Sequence, residues 1–413
     1  MRSTLGKHKA TRPGDKVLVA ASGGTNSSSL LHILQQGIKS DHKRLLFKPL
    51  VVFIDEGALW SSSLEERRKN LANIRRILSV YEFEFHLVLL EDFNSGVKVY
   101  KCEDDVKFSE KLATELFENF SNLKESSSKQ ELLQHMIRSV LIETAKHLNC
   151  EKVFTGENGT MLAVELLAGV AGGSGASLPN RIGFKDFREC SPINGEDPKM
   201  KISILRPMRD VYSKEVALYC AFYQLETSIQ ETFGSFEDSF YSIKKLTEDF
   251  LVGLQDNFPA TIPTIFKTGD KLCMSEETEE QCCLCKGPMD ISTLEHNALQ
   301  ATLFSSVVSE KGKLGLGEKV TIKECQEDNF DHVSKVEDCI KNDNCCGEGD
   351  GSCQSNKAPV LSSLELSENL CYACRRTFGK IISVTNIPVK LQEKILVKSR
   401  RKQMKEEISD FLL

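Results

Sequence analysis

The stretch KVLVAASGGTNSSSLLHIL, residues 16–34, determines the predicted fold of this chain. Its first five residues form an apolar run of strand length, and its last residues carry apolar side chains at helical spacing. The glycines between them let the backbone pass close to a phosphate, and the first N–H groups of the helix point toward it. The stretch therefore predicts an anion site, in which phosphate contacts Ser22, Gly23, Gly24, Ser27 and Ser28. An ordinary strand-to-helix turn is the alternative, and no Gly-Lys-Ser/Thr follows to make a Walker A loop.

Strand-length apolar runs alternate with amphipathic helical patterns through the first 258 residues. The predicted strands are 16–20, 49–55, 83–90, 152–155 and 202–205, and the later predicted helices are 64–80, 109–120, 130–148, 160–167, 212–223 and 239–258. Such alternation indicates an α/β fold with a doubly wound parallel sheet, whose ligands bind at the carboxyl ends of the strands.

Four residues at strand ends are candidates for this edge of the sheet. Ile54 and Asp55 end the second strand, so we expect them beside the adenine or ribose of a bound nucleotide. Arg206 and Arg209 follow the fifth strand and are candidates for contact with phosphate. Surface salt bridges are the alternative role for both arginines.

Composition restricts the class of protein. Of the 413 residues, 40% are hydrophobic and 27% are charged, which is typical of a soluble globular protein with room for a second module. No apolar run approaches the roughly 20 residues of a membrane span, and no apolar segment follows Met1, so we expect neither membrane association nor a secretory signal. The net charge of −6 argues against non-specific nucleic-acid binding by the whole surface. Basic residues do cluster at both ends of the chain. They either contact the phosphates of a nucleic acid or form solvent-exposed faces.

Fifteen cysteines without a secretory signal indicate reduced thiols, some of them on metal, in the cytoplasm. Two Cys-x-x-Cys turns, with Cys282 and Cys285 in the first and Cys371 and Cys374 in the second, predict a structural zinc site. Their separation far exceeds the usual spacer, but the entropy of closing a loop grows only slowly with its length. Ordinary buried or free thiols are the alternative.

These patterns predict five segments, separated where composition changes. They are a basic lead-in (1–15), the α/β domain (16–258), a zinc-knuckle module (259–304 with 364–389), an acidic disordered insert (305–363) and a basic C-terminal helix (390–413).

Four motifs together carry a resemblance to a known family. They are DKVLVAASGG (15–24), FIDEG (53–57), RPMRD (206–210) and LCYACR (370–375). The first is similar to the pyrophosphate loop (PP-loop) of the ATP-pyrophosphatases. Together they resemble the cytoplasmic tRNA 2-thiolation protein 2 family, over nearly the whole chain. Members of that family carry a further Cys-rich module at the N-terminus, so the resemblance implies a shortened form.

The resemblance implies a function in a heterodimer with a catalytic PP-loop thiolase subunit. That complex takes sulfur from a thiocarboxylated ubiquitin-related modifier and places it on C2 of uridine 34 in the tRNAs for Lys, Glu and Gln. ATP adenylates the C2 oxygen, and sulfur then displaces AMP.

Four departures from catalytic relatives fall where chemistry would occur. Asn26 replaces an aspartate, Gly159-Thr160 replaces an Asp-Asp pair, and residues 133–138 and 225–231 lack the expected cysteines. We therefore expect no catalytic residues. The resemblance implies a subunit that binds its catalytic partner and tRNA, with Arg206 and Arg209 in contact with phosphate or tRNA. Whether the chain binds ATP–Mg is left open. Two alternatives remain. The chain itself adenylates a uridine, using Asp55 and Glu56 as metal ligands, or it is a zinc-stabilised interaction protein that has lost nucleotide binding.

Overall fold

The apolar runs pair into one seven-stranded sheet in the computed structural model, which describes residues 1–41, 44–60, 63–102, 104–189, 200–228, 242–272, 280–289, 363–378 and 387–409. The strands are β1 (Lys16–Ala20), β2 (Lys48–Asp55), β3 (Glu84–Leu89), β4 (Val99–Lys101), β5 (Lys152–Phe154), β6 (Lys185–Asp186) and β7 (Ser203–Leu205), in the spatial order β4-β3-β2-β1-β5-β7-β6. Five strands are parallel, whereas the edge strands β4 and β6 are antiparallel to their neighbours. The predicted α/β class is confirmed, and the two antiparallel edges were not predicted.

Thirteen helices of at least five residues accompany these strands in the described ranges. They are α1 (Arg2–Lys7), α2 (Thr25–Lys39), α3 (Leu64–Ser79), α4 (Glu110–Ser121), α5 (Ser126–His147), α6 (Gly159–Ala171), α7 (Leu178–Ile182), α8 (Ser213–Tyr223), α9 (Ile243–Asn257), α10 (Thr261–Gly269), α11 (Ser363–Asn369), α12 (Tyr372–Phe378) and α13 (Val389–Ser409). None of these helices is long and apolar enough to cross a membrane. The predicted insert lies outside the described residues, apart from Ser363.

Alternate residues of β1 face two separate hydrophobic clusters, one on each side of the sheet. Leu18 belongs to the cluster that includes α4, α5 and α13, whereas Val17 and Val19 belong to the cluster that includes α2, α3 and α8. All three side chains are fully buried, since β1 has parallel neighbours on both edges and helices over both faces. The central position of β1 places the loop that follows it in the middle of the carboxyl edge.

The loop between β1 and α2 depends on a glycine with left-handed backbone. Gly23 has φ of +79°, and a Cβ at this position would lie 2.6 Å from Ile74 Cδ1 of α3. The Gly23 carbonyl also accepts a hydrogen bond from the Ser228 backbone N–H at 2.8 Å. The contacts with α3 and with residue 228 therefore hold the backbone of the loop in place at Gly23.

We expect Gly23→Ala to lower the free energy of unfolding by about 1–2 kcal/mol, because alanine strains at positive φ. Gly253→Ala is the matched control: Gly253 lies in α9, and a Cβ there meets no atom within 4 Å. This control should raise the free energy of unfolding by about 0.5–1 kcal/mol. Urea denaturation measures both values. Equal effects of the two substitutions would contradict the strained loop.

Candidate functional site

The first turn of α2 presents backbone N–H groups at the carboxyl edge of the sheet. Gly24 is the N-cap and has no side chain to cap them. Among the predicted phosphate ligands, Ser22 is exposed, whereas Ser27 and Ser28 are buried. The Ser27 hydroxyl donates to the Gly24 carbonyl at 3.0 Å and lies 3.3 Å from Ser22 Oγ. The amides and the Ser22 hydroxyl are therefore the groups best placed to hold an anion.

A second glycine approaches these amides closely, where a side chain would crowd them. Gly156 follows β5, and a Cβ there would lie 3.3 Å from the Ser27 backbone nitrogen. Because β1 and β5 are adjacent strands at the point where the chain order of the sheet reverses, the crevice between their loops is the usual ligand position in such sheets. The backbone thus fits a phosphate group.

Neutral amides connect the starts of three helices beside this loop. Asn158 caps α6, since its Oδ1 accepts from the Met161 backbone N–H at 2.9 Å. Its Nδ2 donates to Asn26 Oδ1 at 2.8 Å and to Ser213 Oγ at 3.1 Å. Asn26, the residue that replaces the expected aspartate, is therefore held by the start of α6. No charge is added at this point of the crevice.

The acidic candidate at the end of β2 is already paired. Asp55 Oδ2 lies 2.5 Å from Arg67 Nη2, and Glu91 Oε2 lies 2.9 Å from the same nitrogen. All three side chains are buried, and the guanidinium also stacks on Phe108 at 4.4 Å from the ring centroid. Asp55 thus lies at the predicted edge of the sheet, and its carboxylate forms an ion pair with Arg67 of α3. Its neighbour Ile54 is partly buried and packs against the hydrophobic core.

Glu56 is the other acid of this strand end. Burial raises the pKa of its carboxyl to about 7, and the negative charge of Asp55 adds to the increase. At neutral pH the carboxyl is therefore only partly ionised. A group in this state attracts a metal ion less strongly than an ordinary carboxylate does.

Arg206 and Arg209 point into the protein. Arg206 Nε lies 2.6 Å from Glu157 Oε2, and its Nη1 donates to the carbonyls of Asn180 and Gly183 at 3.1 and 2.9 Å. Arg209 forms an ion pair with Asp270, and the two arginines are 4% and 7% exposed. In this structure both guanidinium groups serve internal contacts, and neither is presented at the surface as an anion ligand.

A cavity of about 110 Å³ lies where catalytic relatives are expected to carry a Cys-x-x-Cys. Its wall includes Gln134, His135 and Arg138 of α5, together with Thr155, Glu157, Asp186, Arg188 and Arg206. Arg138 donates to Asp186 at 3.2 Å and to Glu189 at 2.9 Å, and Arg188 donates to Asp186 at 2.7 Å.

Burial alone would raise the pKa of Asp186, but Arg188 and Arg138 hold it far below its usual value. An ion-pair network therefore occupies the expected position of the sulfur carriers. The sequence did not predict this network, because each of its charged residues, taken alone, is of a type usually found at the surface.

The four predicted zinc ligands come together and are buried. The Sγ atoms of Cys282, Cys285, Cys371 and Cys374 all lie within 4.8 Å of one another. The Cys285 and Cys371 sulfurs are 3.7 Å apart, and the Gly287 backbone N–H donates to Cys285 Sγ at 3.3 Å. This arrangement fits one tetrahedral metal ion. The cysteines pack in the same hydrophobic cluster as α5 and the sheet.

Comparison with known proteins identifies relatives of this chain. The family model described as Cytoplasmic tRNA 2-thiolation protein 2 matches residues 242–376, which include all four cysteines. The Danio rerio protein of that name is 31% identical over 463 aligned residues, covering 100% of this chain and 87% of the relative. The Homo sapiens protein of that name is 27% identical and covers 100% and 87%.

Among solved structures, the chain is similar to the U34-tRNA thiolase NcsA from Methanococcus maripaludis, which was solved with its 4Fe-4S cluster. The match has a TM-score of 0.47 and 14% identity, and covers 69% of this chain and 85% of NcsA. The full-length match to the Danio rerio relative, which confirms the resemblance read from the motifs, shows that this chain belongs to the cytoplasmic tRNA 2-thiolation protein 2 family.

Proposed function

We propose that this chain is a non-catalytic subunit of a cytoplasmic tRNA thiolase. In this proposal it binds tRNA and a catalytic PP-loop subunit, which places sulfur on C2 of uridine 34 in the tRNAs for Lys, Glu and Gln. The sulfur comes from a thiocarboxylated ubiquitin-related modifier. The names of the relatives support the pathway. The state of the crevice supports the absence of catalysis.

One observation carries the proposal: the carboxylate best placed for a metal is already neutralised. Adenylation of an oxygen by ATP needs cations on the phosphates, and acidic side chains usually hold Mg²⁺. Here Asp55 binds Arg67, and Asn26 contributes a neutral amide bound to Asn158. The amides of the first turn of α2 fit a phosphate, but the acidic groups do not fit the Mg²⁺ ion that accompanies it.

The second candidate function is adenylation by this chain itself. The observation that favours it is the glycine at position 156, whose lack of a side chain avoids crowding of the Ser27 backbone nitrogen. Glu56 would then be the remaining ligand for a metal. The partly protonated state of Glu56 and the pairing of Asp55 weigh against this candidate.

We propose zinc as the metal of the four cysteines. Four thiolates bind one zinc ion tetrahedrally at about 2.3 Å, which brings the sulfurs within about 4 Å of one another. The separation of 3.7 Å between Cys285 and Cys371 agrees with such a site. A four-iron cluster interposes its own iron and sulfide between the thiolates and therefore needs a wider opening. When bound, zinc supplies structural cross-linking of residues 282–285 with residues 371–374.

The purified chain should contain one equivalent of zinc and no iron. We expect Cys282→Ser and Cys374→Ser to reduce bound zinc below one tenth of an equivalent and to lower the thermal midpoint, since metal binding stabilises the folded segment. Elemental analysis and calorimetry measure the two effects. Cys283→Ser is the matched control, because Cys283 is adjacent to a ligand but outside the group of four. Full zinc content in both ligand variants would contradict the site.

Thiolation of unmodified tRNA should require the catalytic partner. The chain alone should give no product above background. Asn26→Asp alone should give none either, because Arg67 still holds Asp55. Adding the partner subunit, ATP and the sulfur donor should restore product with both the parent chain and the variant. Mercury-affinity gels and mass spectrometry of the wobble nucleoside measure the product. Thiolation by the isolated chain would establish the second candidate instead.

A further inference from the structure

We propose that one face of the last helix binds the phosphate backbone of RNA. This inference rests on the proposed tRNA-binding function and gives it a location. The face consists of Lys390, Lys394, Lys398 and Arg401 of α13, joined by Lys286 from the first Cys-x-x-Cys turn. It is called the basic stripe below.

Positive charge is concentrated on this helix although the chain as a whole is negative. Residues 389–402 contain six lysines and arginines and one acidic residue, Glu393, whereas the net charge of the chain is −6. A polyanion therefore meets a local excess of cations here, and its counterions are released when it binds.

Helical spacing places the stripe on one side of α13. Leu391, Ile395 and Ser399 are buried against the core at intervals of four residues. Lys390, Lys394 and Lys398 precede them at the same interval, and Arg401 continues the row, so the stripe is about 16 Å long. Lys394 and Arg401 are exposed, whereas Lys398 donates to the Gln281 carbonyl at 2.8 Å. The helix is thus fixed by its inner side while two cations face solvent.

The first Cys-x-x-Cys turn adds a cation to the stripe. Desolvation of its ammonium group lowers the pKa of Lys394; the positive charges of Lys286 and Lys390 lower it further, whereas Glu143 and Glu189 oppose the decrease. Glu189 lies 2.6 Å from Lys286, and Glu143 pairs with Lys390. Lys394 therefore lies near two lysines, each of which is already paired with a carboxylate.

The stripe takes the role that the sequence suggested for Arg206 and Arg209. Both arginines are buried in ion pairs, and exposing them would deprive Glu157 and Asp270 of these cationic partners. The two exposed cations lie two helical turns apart on a helix with other basic residues between them, which suits a ligand whose charges repeat along a line, such as one strand of folded RNA. The observations on burial and charge therefore favour α13 over the arginines after β7.

The test measures binding of the full-length chain, alone and with its catalytic partner, to an unmodified tRNA transcript between 50 and 300 mM salt. We expect Lys394→Gln and Arg401→Gln each to weaken binding about 3- to 10-fold at low salt. Each should also reduce the slope of log K against log salt by about 0.7–0.9, as loss of one phosphate contact does. Lys69→Gln, an exposed lysine of α3 on the opposite side of the sheet, is the charge-matched control and should change neither value.

The outcomes separate this inference from the function on which it rests. If the parent chain binds tRNA and both stripe variants keep its affinity and salt slope, the stripe is overturned while the proposed function stands. If the two variants instead contain less zinc than the parent chain, Lys394 and Arg401 serve to compensate the charge of the metal-bound thiolates. That result also overturns the stripe. If neither the parent chain nor its complex with the partner binds tRNA, the proposed function itself fails.

Discussion

Charges buried at the carboxyl edge of the sheet must be paired, and this constraint organises the crevice. A buried ion without a partner costs several kcal/mol. Asp55, Glu91 and Asp186 are each accompanied by a cation, whereas the pKa of Glu56 is raised to about 7, so that its carboxyl is partly protonated. Arg67 serves both Asp55 and Glu91, and Arg138 and Arg188 together serve Asp186. These pairs link β2, α3, α5 and β6 at the edge of the sheet. The same contacts neutralise carboxylates that would otherwise attract Mg²⁺.

Beside these ion pairs, neutral side chains connect the starts of three helices. The N-termini of helices carry partial positive charge and favour anions. At the starts of α2, α6 and α8, however, the bonds from Asn158 to Asn26 and Ser213 join side chains without formal charge. The crevice therefore combines the backbone geometry of a phosphate site with acidic groups that are paired or partly protonated. This combination supports the proposed non-catalytic role.

Apolar periodicity was sufficient to predict the central strands, because burial on both faces demands continuous hydrophobic runs, and the longer helices between them. It did not predict the short helices α1, α7, α10, α11 and α12. It could not reveal β4 and β6, which have three and two residues and are defined by their pairing. The Cys-x-x-Cys turns were readable because their spacing is local. Arg67 was not: in sequence it is one charged residue among several in α3, and only the fold brings it to Asp55. The segment boundaries, including a separate zinc-knuckle module, stay predictions.

The cysteine site and the cavity beside α5 share one polar network. Arg188 binds Asp186 of β6 and also donates to the Cys285 carbonyl at 2.8 Å. Lys286, the next residue of the same turn, pairs with Glu189, which also accepts from Arg138 of α5. The turn that supplies two thiolates is therefore anchored to the edge strand and to the helix that line the cavity. In the proposed subunit, a metal held by the four cysteines would therefore fix residues 282–285 and, through the contacts of Arg188 and Lys286, the wall of the cavity.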